Sequence, residues 1–76
     1  MKEKVKMVDR GSIWKNVKNG TFYVVNEVNI INCTYSNDGE IMVMYCQLGV
    51  GDIKFVREIK EFKEKFIKYE AGGDSI

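Results

Sequence analysis

Arg57 is the charged residue whose position in the sequence points most directly to binding chemistry. It follows Ile53 and Phe55 at a spacing of two residues, so in a β-strand its guanidinium would lie on the same face as these apolar side chains. A guanidinium on such a face needs a carboxylate or a carbonyl oxygen as its acceptor. Arg57 therefore binds an anionic ligand group or forms an internal salt bridge. The salt bridge is favoured, and its candidate acceptors are Glu27, Glu40 and Asp52.

A second candidate site combines aromatic and basic side chains near Trp14. Lys15 and Lys18 follow it closely, and Tyr23 and Tyr35 come later in the chain. Bases of single-stranded nucleic acid stack on aromatic rings, while ammonium groups hold the phosphates. The alternative is that Trp14 belongs to the core and the lysines are solvated, and the net charge of only +1 favours it. With a tyrosine from an apolar strand added, the candidate binding residues are Trp14, Lys15, Lys18, Tyr23, Tyr45 and Arg57.

Met42, Met44 and Cys46 form a third candidate surface, for a protein partner or a second copy of the chain. They alternate with Val43 and Tyr45 in an apolar run, so they would share one face of a strand. Thioether side chains adapt to many partners, which suits a docking surface. The alternative is that a helix from the C-terminal part of the chain covers this face. If that part is a strand instead, the face is exposed and needs a partner.

The residue types of common catalytic sites are scarce in this sequence. It contains no histidine, which is the usual base at neutral pH and the commonest transition-metal ligand. Asp52 and Glu58 are a candidate carboxylate pair for acid and base catalysis, but they stand six residues apart with no reason to meet. Gly49 and Gly51 predict a turn rather than a nucleotide-binding loop. We therefore expect no enzymatic activity, no cofactor and no metal ion.

Length and composition predict one small domain. The 76 residues are 45% hydrophobic and 12% aromatic, enough for a single thin core. No apolar stretch approaches the length of a membrane span, and no apolar segment follows the charged start of the chain. A cytoplasmic location is expected, with Cys33 and Cys46 as reduced core residues. The expected boundaries are an N-terminal arm over residues 1–9, the domain over 10–70 and a disordered tail over 71–76.

Turn signals and β-branched stretches predict a series of hairpins. Asn-Gly and Asp-Gly pairs adopt the positive φ values of tight turns, and the predicted turns are Asn19-Gly20, Asn37-Asp38-Gly39 and residues 49–52. Residues 21–31 predict a long strand, which residues 32–36 extend. Because a long strand in a small domain must bend, bulges are expected at Asn26 and Asn29. The apolar run 41–46 predicts a central strand covered on both faces, and residues 53–57 predict a fourth strand.

Residues 58–69 fit two structures. Ile59, Phe62, Phe66 and Tyr69 recur with the period of a helix, which predicts one amphipathic helix of about four turns. In the other structure the helix ends near Lys63, and residues 65–69 form a closing strand. The periodicity leaves both open.

The order of these segments resembles an uncharacterised family of small bacterial and phage domains. In that family a basic segment after an aromatic residue leads into a glycine, followed by a Tyr-x-Val strand, an apolar strand ending in Tyr, and an aromatic-x-Arg strand that runs into a short helix ending in Phe. The matching residues here are Trp14 to Gly20, Tyr23 to Val25, Val43 to Tyr45, Phe55 to Arg57, and Phe62.

This resemblance covers roughly residues 11–69. It implies a small SH3-like antiparallel barrel of about five strands, with one short helix near the C-terminus and a last strand from Phe66 to Tyr69 that closes the sheet. Glu58 stands where the family usually has proline, a departure that leaves room for the longer helix. The family brings no established activity with it.

The expected function is therefore binding by a mainly β domain that recognises a protein partner or forms a homodimer. Two alternatives stand beside it. One is single-stranded nucleic-acid binding through Trp14, Lys15 and Lys18, and the other is binding of a small anionic ligand through Arg57.

Overall fold

The computed structural model describes residues 7–36 and 38–69, which form a mainly β fold with one short helix. The elements are β1 (Ile13–Asn16), β2 (Phe22–Ile31), β3 (Ile41–Gln47), β4 (Val50–Glu58), α1 (Ile59–Lys65) and β5 (Phe66–Tyr69). The mainly β class with a short C-terminal helix is confirmed. The alternative of one long helix through Tyr69 is wrong.

The five strands form one antiparallel sheet in the order β4-β3-β2-β1-β5. β4 and β5 are the two edges, and they do not pair with each other within the described ranges, so the predicted barrel is not closed by backbone hydrogen bonds. The sheet nevertheless curls strongly. The rings of Tyr45 on β3 and Phe66 on β5 lie 5.3 Å apart, although these strands would be about 14 Å apart in a flat sheet.

β2 bends at the two positions where bulges were expected. Its pairing with β3 changes register between Val25 and Glu27 and again between Glu27 and Ile30. Asn29, in the second irregularity, has a φ of 58°. Asparagine tolerates this left-handed conformation better than most residues because its short side chain bonds locally. The bends allow one ten-residue strand to follow the curl of the sheet.

The conformation of Asn29 leads to a prediction about stability. An Asn29→Ala variant should lose about 1 kcal/mol of unfolding free energy, because a β-carbon at positive φ without local hydrogen bonding is strained. Asn29→Gly removes the strain and should stay within about 1 kcal/mol of the parent. Urea denaturation of the three proteins measures both effects. Equal stability of the alanine and glycine variants would contradict the assigned backbone conformation.

The hairpin loops differ from the predicted tight turns. In the β1–β2 loop only Gly20 has a positive φ, 76°, and the loop closes where Asn16 N–H donates to Thr21 O at 2.9 Å. Asn16 Oδ1 accepts hydrogen bonds from the backbone N–H groups of Lys18 and Asn19. These bonds stabilise a four-residue loop in place of the predicted two-residue turn.

The other two turns are also displaced from their predicted positions. β2 ends at Ile31 and does not extend through residues 32–36, because Asn32 pairs with Glu40 across a wider loop. In that loop Gly39 supplies the positive φ, and Asn37 lies outside the described residues. The β3–β4 turn consists of Leu48 and Gly49 rather than residues 49–52, since Gln47 and Val50 already face each other.

The core consists of a few large side chains on the concave face of the sheet. Phe62 is the residue of α1 that enters it, stacking on Phe66 with ring centroids 4.3 Å apart and meeting Trp14 edge-on at 5.1 Å. The buried cluster is Trp14, Val25, Val43, Tyr45, Phe62 and Phe66. The interpretation of Trp14 as a core residue is thereby confirmed.

α1 is short because tertiary pairing ends it. Glu58 caps its first turn by accepting the backbone N–H of Glu61 at 3.1 Å. At the other end Val17 N–H donates to Lys65 O at 3.0 Å, and the extended Phe66 pairs with Asn16 of β1. The helical periodicity of the sequence continues beyond Lys65, but pairing with β1 makes residues 66–69 a strand instead.

β3 is an interior strand that is covered fully on one face. Val43 and Tyr45 are buried against α1 and the core. On the opposite face Cys46 is buried, whereas Met42 and Met44 are only half-buried. The prediction of full cover on both faces is therefore wrong for the second face.

The predicted reduced cysteines and the predicted terminal segments are described only in part. Neither cysteine forms a disulfide, but Cys33 is exposed in the β2–β3 loop, so its assignment to the core is wrong. Residues 1–6 and 71–76, with most of the predicted arm and the whole predicted tail, lie outside the described residues. The described end of the arm contacts β5, where Lys68 Nζ donates to Met7 O at 2.9 Å. Within the described part of the chain, α1 is far too short and polar to cross a membrane.

Candidate functional site

Two adjoining cavities on the concave side of the sheet share Asn16 and Arg57, and together they are called the Arg57 cleft here. The larger one has a volume of about 450 Å³ and is lined further by Val17, Lys18, Glu64 and Lys65. The smaller one is lined further by Tyr23, Tyr45, Phe55 and Phe66. The cleft thus has a polar half beside α1 and an aromatic half on the sheet.

The aromatic half is built from three neighbouring strands. Tyr45 lies at its centre, with the ring of Tyr23 at 5.6 Å and that of Phe55 at 5.5 Å. Tyr45 and Phe55 are cross-strand partners, and antiparallel pairing places their side chains on one face. Tyr45 is buried, whereas Phe55 is 42% exposed. The cleft therefore offers partly exposed ring surface over a rigid aromatic base.

Arg57 is fixed where the two halves meet. Its Nε donates to Tyr45 Oη at 3.0 Å, and its Nη1 donates to Glu61 Oε2 at 3.2 Å. The guanidinium carbon also lies 5.9 Å from the ring centroid of Phe66. The hydrogen bond to Tyr45 raises the pKa of Arg57, partial burial opposes the rise, and Glu61 adds to it. The group stays cationic at any ordinary pH.

The partner of Arg57 corrects the sequence-based prediction. An internal salt bridge exists, but its acceptor is Glu61 in α1 and not Glu27, Glu40 or Asp52. Glu27 lies instead 3.8 Å from Arg10. Glu61 is only four residues after Arg57, and the helix that begins at Ile59, directly after β4, brings its carboxylate back to the guanidinium.

A conservative variant of Tyr45 tests the anchoring of Arg57. Tyr45→Phe keeps the ring and removes the acceptor of the Nε–H, so we expect a loss of about 1 kcal/mol in unfolding free energy. Glu61→Gln should cost less than about 0.5 kcal/mol, because its ion pair with Arg57 is half-exposed. Chemical denaturation of both variants provides the comparison. A larger loss for Glu61→Gln than for Tyr45→Phe would show that the ion pair is the main anchor.

The structure brings together four of the predicted binding residues. Lys18, Tyr23, Tyr45 and Arg57 line the Arg57 cleft. Trp14 is only 1% exposed and offers no face for stacking.

Lys15 and Tyr35 lie outside the cleft. Lys15 projects to the convex face, with its Nζ 5.9 Å from the ring centroid of Phe22. Tyr35 is exposed in the β2–β3 loop. The predicted patch around Trp14 is therefore divided between the two sides of the sheet.

Asn16, Phe55 and Lys65 are cleft residues that the sequence analysis missed as binding candidates. The sequence did contain a signal for Phe55. It stands two residues before Arg57, so in a strand the two side chains lie on the same face. Asn16 and Lys65 gave none, because they meet only through the pairing of β1 with the end of α1.

The third predicted surface and the predicted carboxylate pair lie outside the cleft. Met42 and Met44 are half-buried on the convex face, opposite α1, so the helix does not cover them. The carboxylate of Glu58 caps α1, which gives it a structural role, while Asp52 lies in the exposed part of β4. Within residues 7–36 and 38–69 no cluster of side chains has the composition of a metal site.

The Arg57 cleft is thus a small surface with three cationic side chains, the partly exposed ring of Phe55 and an aromatic base. Lys18, Lys65 and Arg57 face one carboxylate from Glu64 in its polar half. Such a combination binds an anionic group next to an apolar or aromatic one. Comparison of the chain with protein-family models, curated proteins and solved structures finds no match.

Proposed function

We propose that this protein is a non-catalytic binding domain that recognises an acidic segment of a protein partner in the Arg57 cleft. A carboxylate of the partner meets Arg57, with Lys18 and Lys65 beside it, and a neighbouring apolar or aromatic side chain covers Phe55 and Tyr23. The observation that carries the proposal is the fixed guanidinium at the border of exposed ring surface.

The hydrogen bonds of Arg57 support this role. In the described ranges the side chain uses two donors, for Tyr45 and Glu61, whereas a guanidinium has five N–H donors. The remaining donors are available to a carboxylate, and the held orientation lowers the entropy lost on binding. Charge-assisted bonds of this kind are the strong ones at interfaces.

The wider setting that we propose is a cytoplasmic SH3-like barrel of the bacterial and phage family that the sequence resembles. The five strands and the short helix between β4 and β5 are in line with what that resemblance implies. The contact of Arg57 on one edge strand with Phe66 on the other agrees with a nearly closed barrel, since flat-sheet edges would be about 19 Å apart.

Matched peptides test the proposed recognition. Two sets of short peptides carry a tryptophan beside either aspartate or asparagine and are otherwise identical. We expect the aspartate set to bind at least about tenfold more tightly, the ratio given by one charge-assisted hydrogen bond. Backbone amide shifts in nuclear magnetic resonance titrations should locate the site at Asn16, Lys18 and Arg57.

Variants on the two sides of the sheet provide the control. Arg57→Gln and Lys18→Gln should each reduce the preference for aspartate, and the second leaves the Tyr45 and Glu61 contacts intact. Lys15→Gln, which removes the same charge from the convex face, should bind as the parent does. Equal binding of both peptide sets would overturn the proposal. Binding of a short oligothymidylate at the same amides, but of no peptide, would assign the cleft to single-stranded nucleic acid instead.

A further inference from the structure

The long edge of the sheet, β4, has a free length and a charge pattern that fit a second copy of itself. Residues 50–56 are seven successive exposed residues of this strand. Their apolar members are well exposed: Val50 44%, Ile53 60%, Phe55 42% and Val56 54%. A long exposed apolar edge is a template for another strand, and most proteins shorten or block such edges.

The other edge of the sheet lacks these properties. β5 has only four residues, and its Lys68 side chain is bonded to Met7 O and lies 3.7 Å from Asp9. Residues 7–9 therefore lie against this strand. β4 is the edge on which an added strand can pair over a useful length.

We propose that two copies of the chain associate through antiparallel pairing of residues 50–56, with Ile53 of one copy opposite Ile53 of the other. In this register Asp52 of each copy lies opposite Lys54 of the other, so the dimer has two such pairs. The register also places Val50 opposite Val56 and Gly51 opposite Phe55. Each Asp52 thus faces an opposite charge, and Val50, Ile53 and Val56 face apolar side chains.

Neighbouring registers lack this agreement. A slip of one residue places Asp52 opposite Ile53 or Phe55, and a slip of two places either Asp52 opposite Asp52 or Lys54 opposite Lys54. Like charges directly opposite each other destabilise a strand pair. A register centred on Val56 would require Arg57 and Glu58, which are already half-buried and engaged with Glu61.

The pairing of β4 with its inner neighbour is interrupted at the centre of the free strand. The pairing of β3 with β4 passes from Gln47 and Val50 directly to Cys46 and Lys54, so residues 51–53 have no partner in β3. In the single chain Lys54 Nζ donates to Gly51 O at 2.7 Å, which partly covers the edge. In the dimer this ammonium turns to Asp52 of the second copy, and backbone pairing replaces the cover.

Charge exchange tests the pairing in solution. Sedimentation equilibrium of the parent should show a mass rising with concentration from 8.8 kDa towards twice that value. Asp52→Lys should abolish the rise, and the double variant Asp52→Lys with Lys54→Asp should restore it. Asp38→Lys makes the same charge change in the β2–β3 loop and should leave association unchanged. A parent that stays monomeric, or association that survives Asp52→Lys, would overturn the proposal.

Cysteine crosslinking tests the register. In a Cys33→Ser background, Ile53→Cys should form a disulfide-linked dimer on mild oxidation, because directly opposed residues have the Cα separation that a disulfide needs. Val56→Cys should not crosslink by itself but should do so in combination with Val50→Cys. A single Val56→Cys variant that crosslinks as fully as Ile53→Cys would overturn the register. None of these substitutions involves the Arg57 cleft residues, so peptide binding and self-association can fail independently.

Discussion

Replacement of Phe62 by alanine is expected to remove about 3–5 kcal/mol of unfolding free energy, the cost typical of truncating a buried phenylalanine. A domain of 76 residues has roughly 4–11 kcal/mol in total, so this one side chain accounts for a large share of the stability. Phe62 has no exposed surface and its ring meets three others, those of Trp14, Tyr45 and Phe66.

Guanidinium denaturation followed by the fluorescence of Trp14 measures this effect. Ile67→Ala is the matched control, because Ile67 lies in β5 next to Phe66 but is 57% exposed, and it should cost less than about 1 kcal/mol. A similar loss in the two variants would show that α1 is not docked on the core as described.

A carboxylate in place of Val25 should destabilise the fold in a pH-dependent way. Val25 is 1% exposed in the middle of β2, and a carboxyl group buried there would have its pKa raised by about 3 units or more. At pH 7 this corresponds to about 4 kcal/mol or more of lost stability. The Val25→Asp variant should therefore be mostly unfolded at neutral pH.

Acid should partly rescue this variant. Because the pKa of the buried carboxyl group is higher in the folded than in the unfolded state, the electrostatic cost is absent below the unfolded pKa of about 3.9 and grows as pH rises towards 7. Circular dichroism between these limits should show more folded protein at the acid end. Ile31→Asp, at the exposed end of the same strand, should show no such rescue. A Val25→Asp variant that is equally folded at both ends of the range would contradict the burial of this position.

The strands could be predicted from the sequence because side-chain type and spacing determine them locally. The β-branched stretch of β2 and the apolar run of β3 indicated strands, and Asn26 and Asn29 indicated the bends that the register shifts confirm. The same alternation separates Trp14 from Lys15, since adjacent strand residues face opposite sides. Applied more strictly, it would have ruled out their shared patch.

The cleft could be predicted only in part because long-range pairing forms it. The lining of its polar half comes from β1, the β1–β2 loop, β4 and α1, and no local pattern in the sequence indicates that these segments meet. The helical periodicity continues through Phe66 and predicts helix where β5 lies, because the strand conformation of β5 depends on its pairing with β1. The contact of Glu61 with Arg57, by contrast, is local, because α1 begins directly after β4.

The pairing of β1 with β5 also determines when the chain can fold during its synthesis. Ile13 pairs with Tyr69, so β1 cannot complete its pairing in the sheet until β5 has been synthesised. Phe62 and Phe66 come equally late, and the nascent chain has no complete core before they emerge. Because such distant contacts slow folding and leave strand edges open in the meantime, we expect the native core to form only after Phe66 and Tyr69 have left the ribosome.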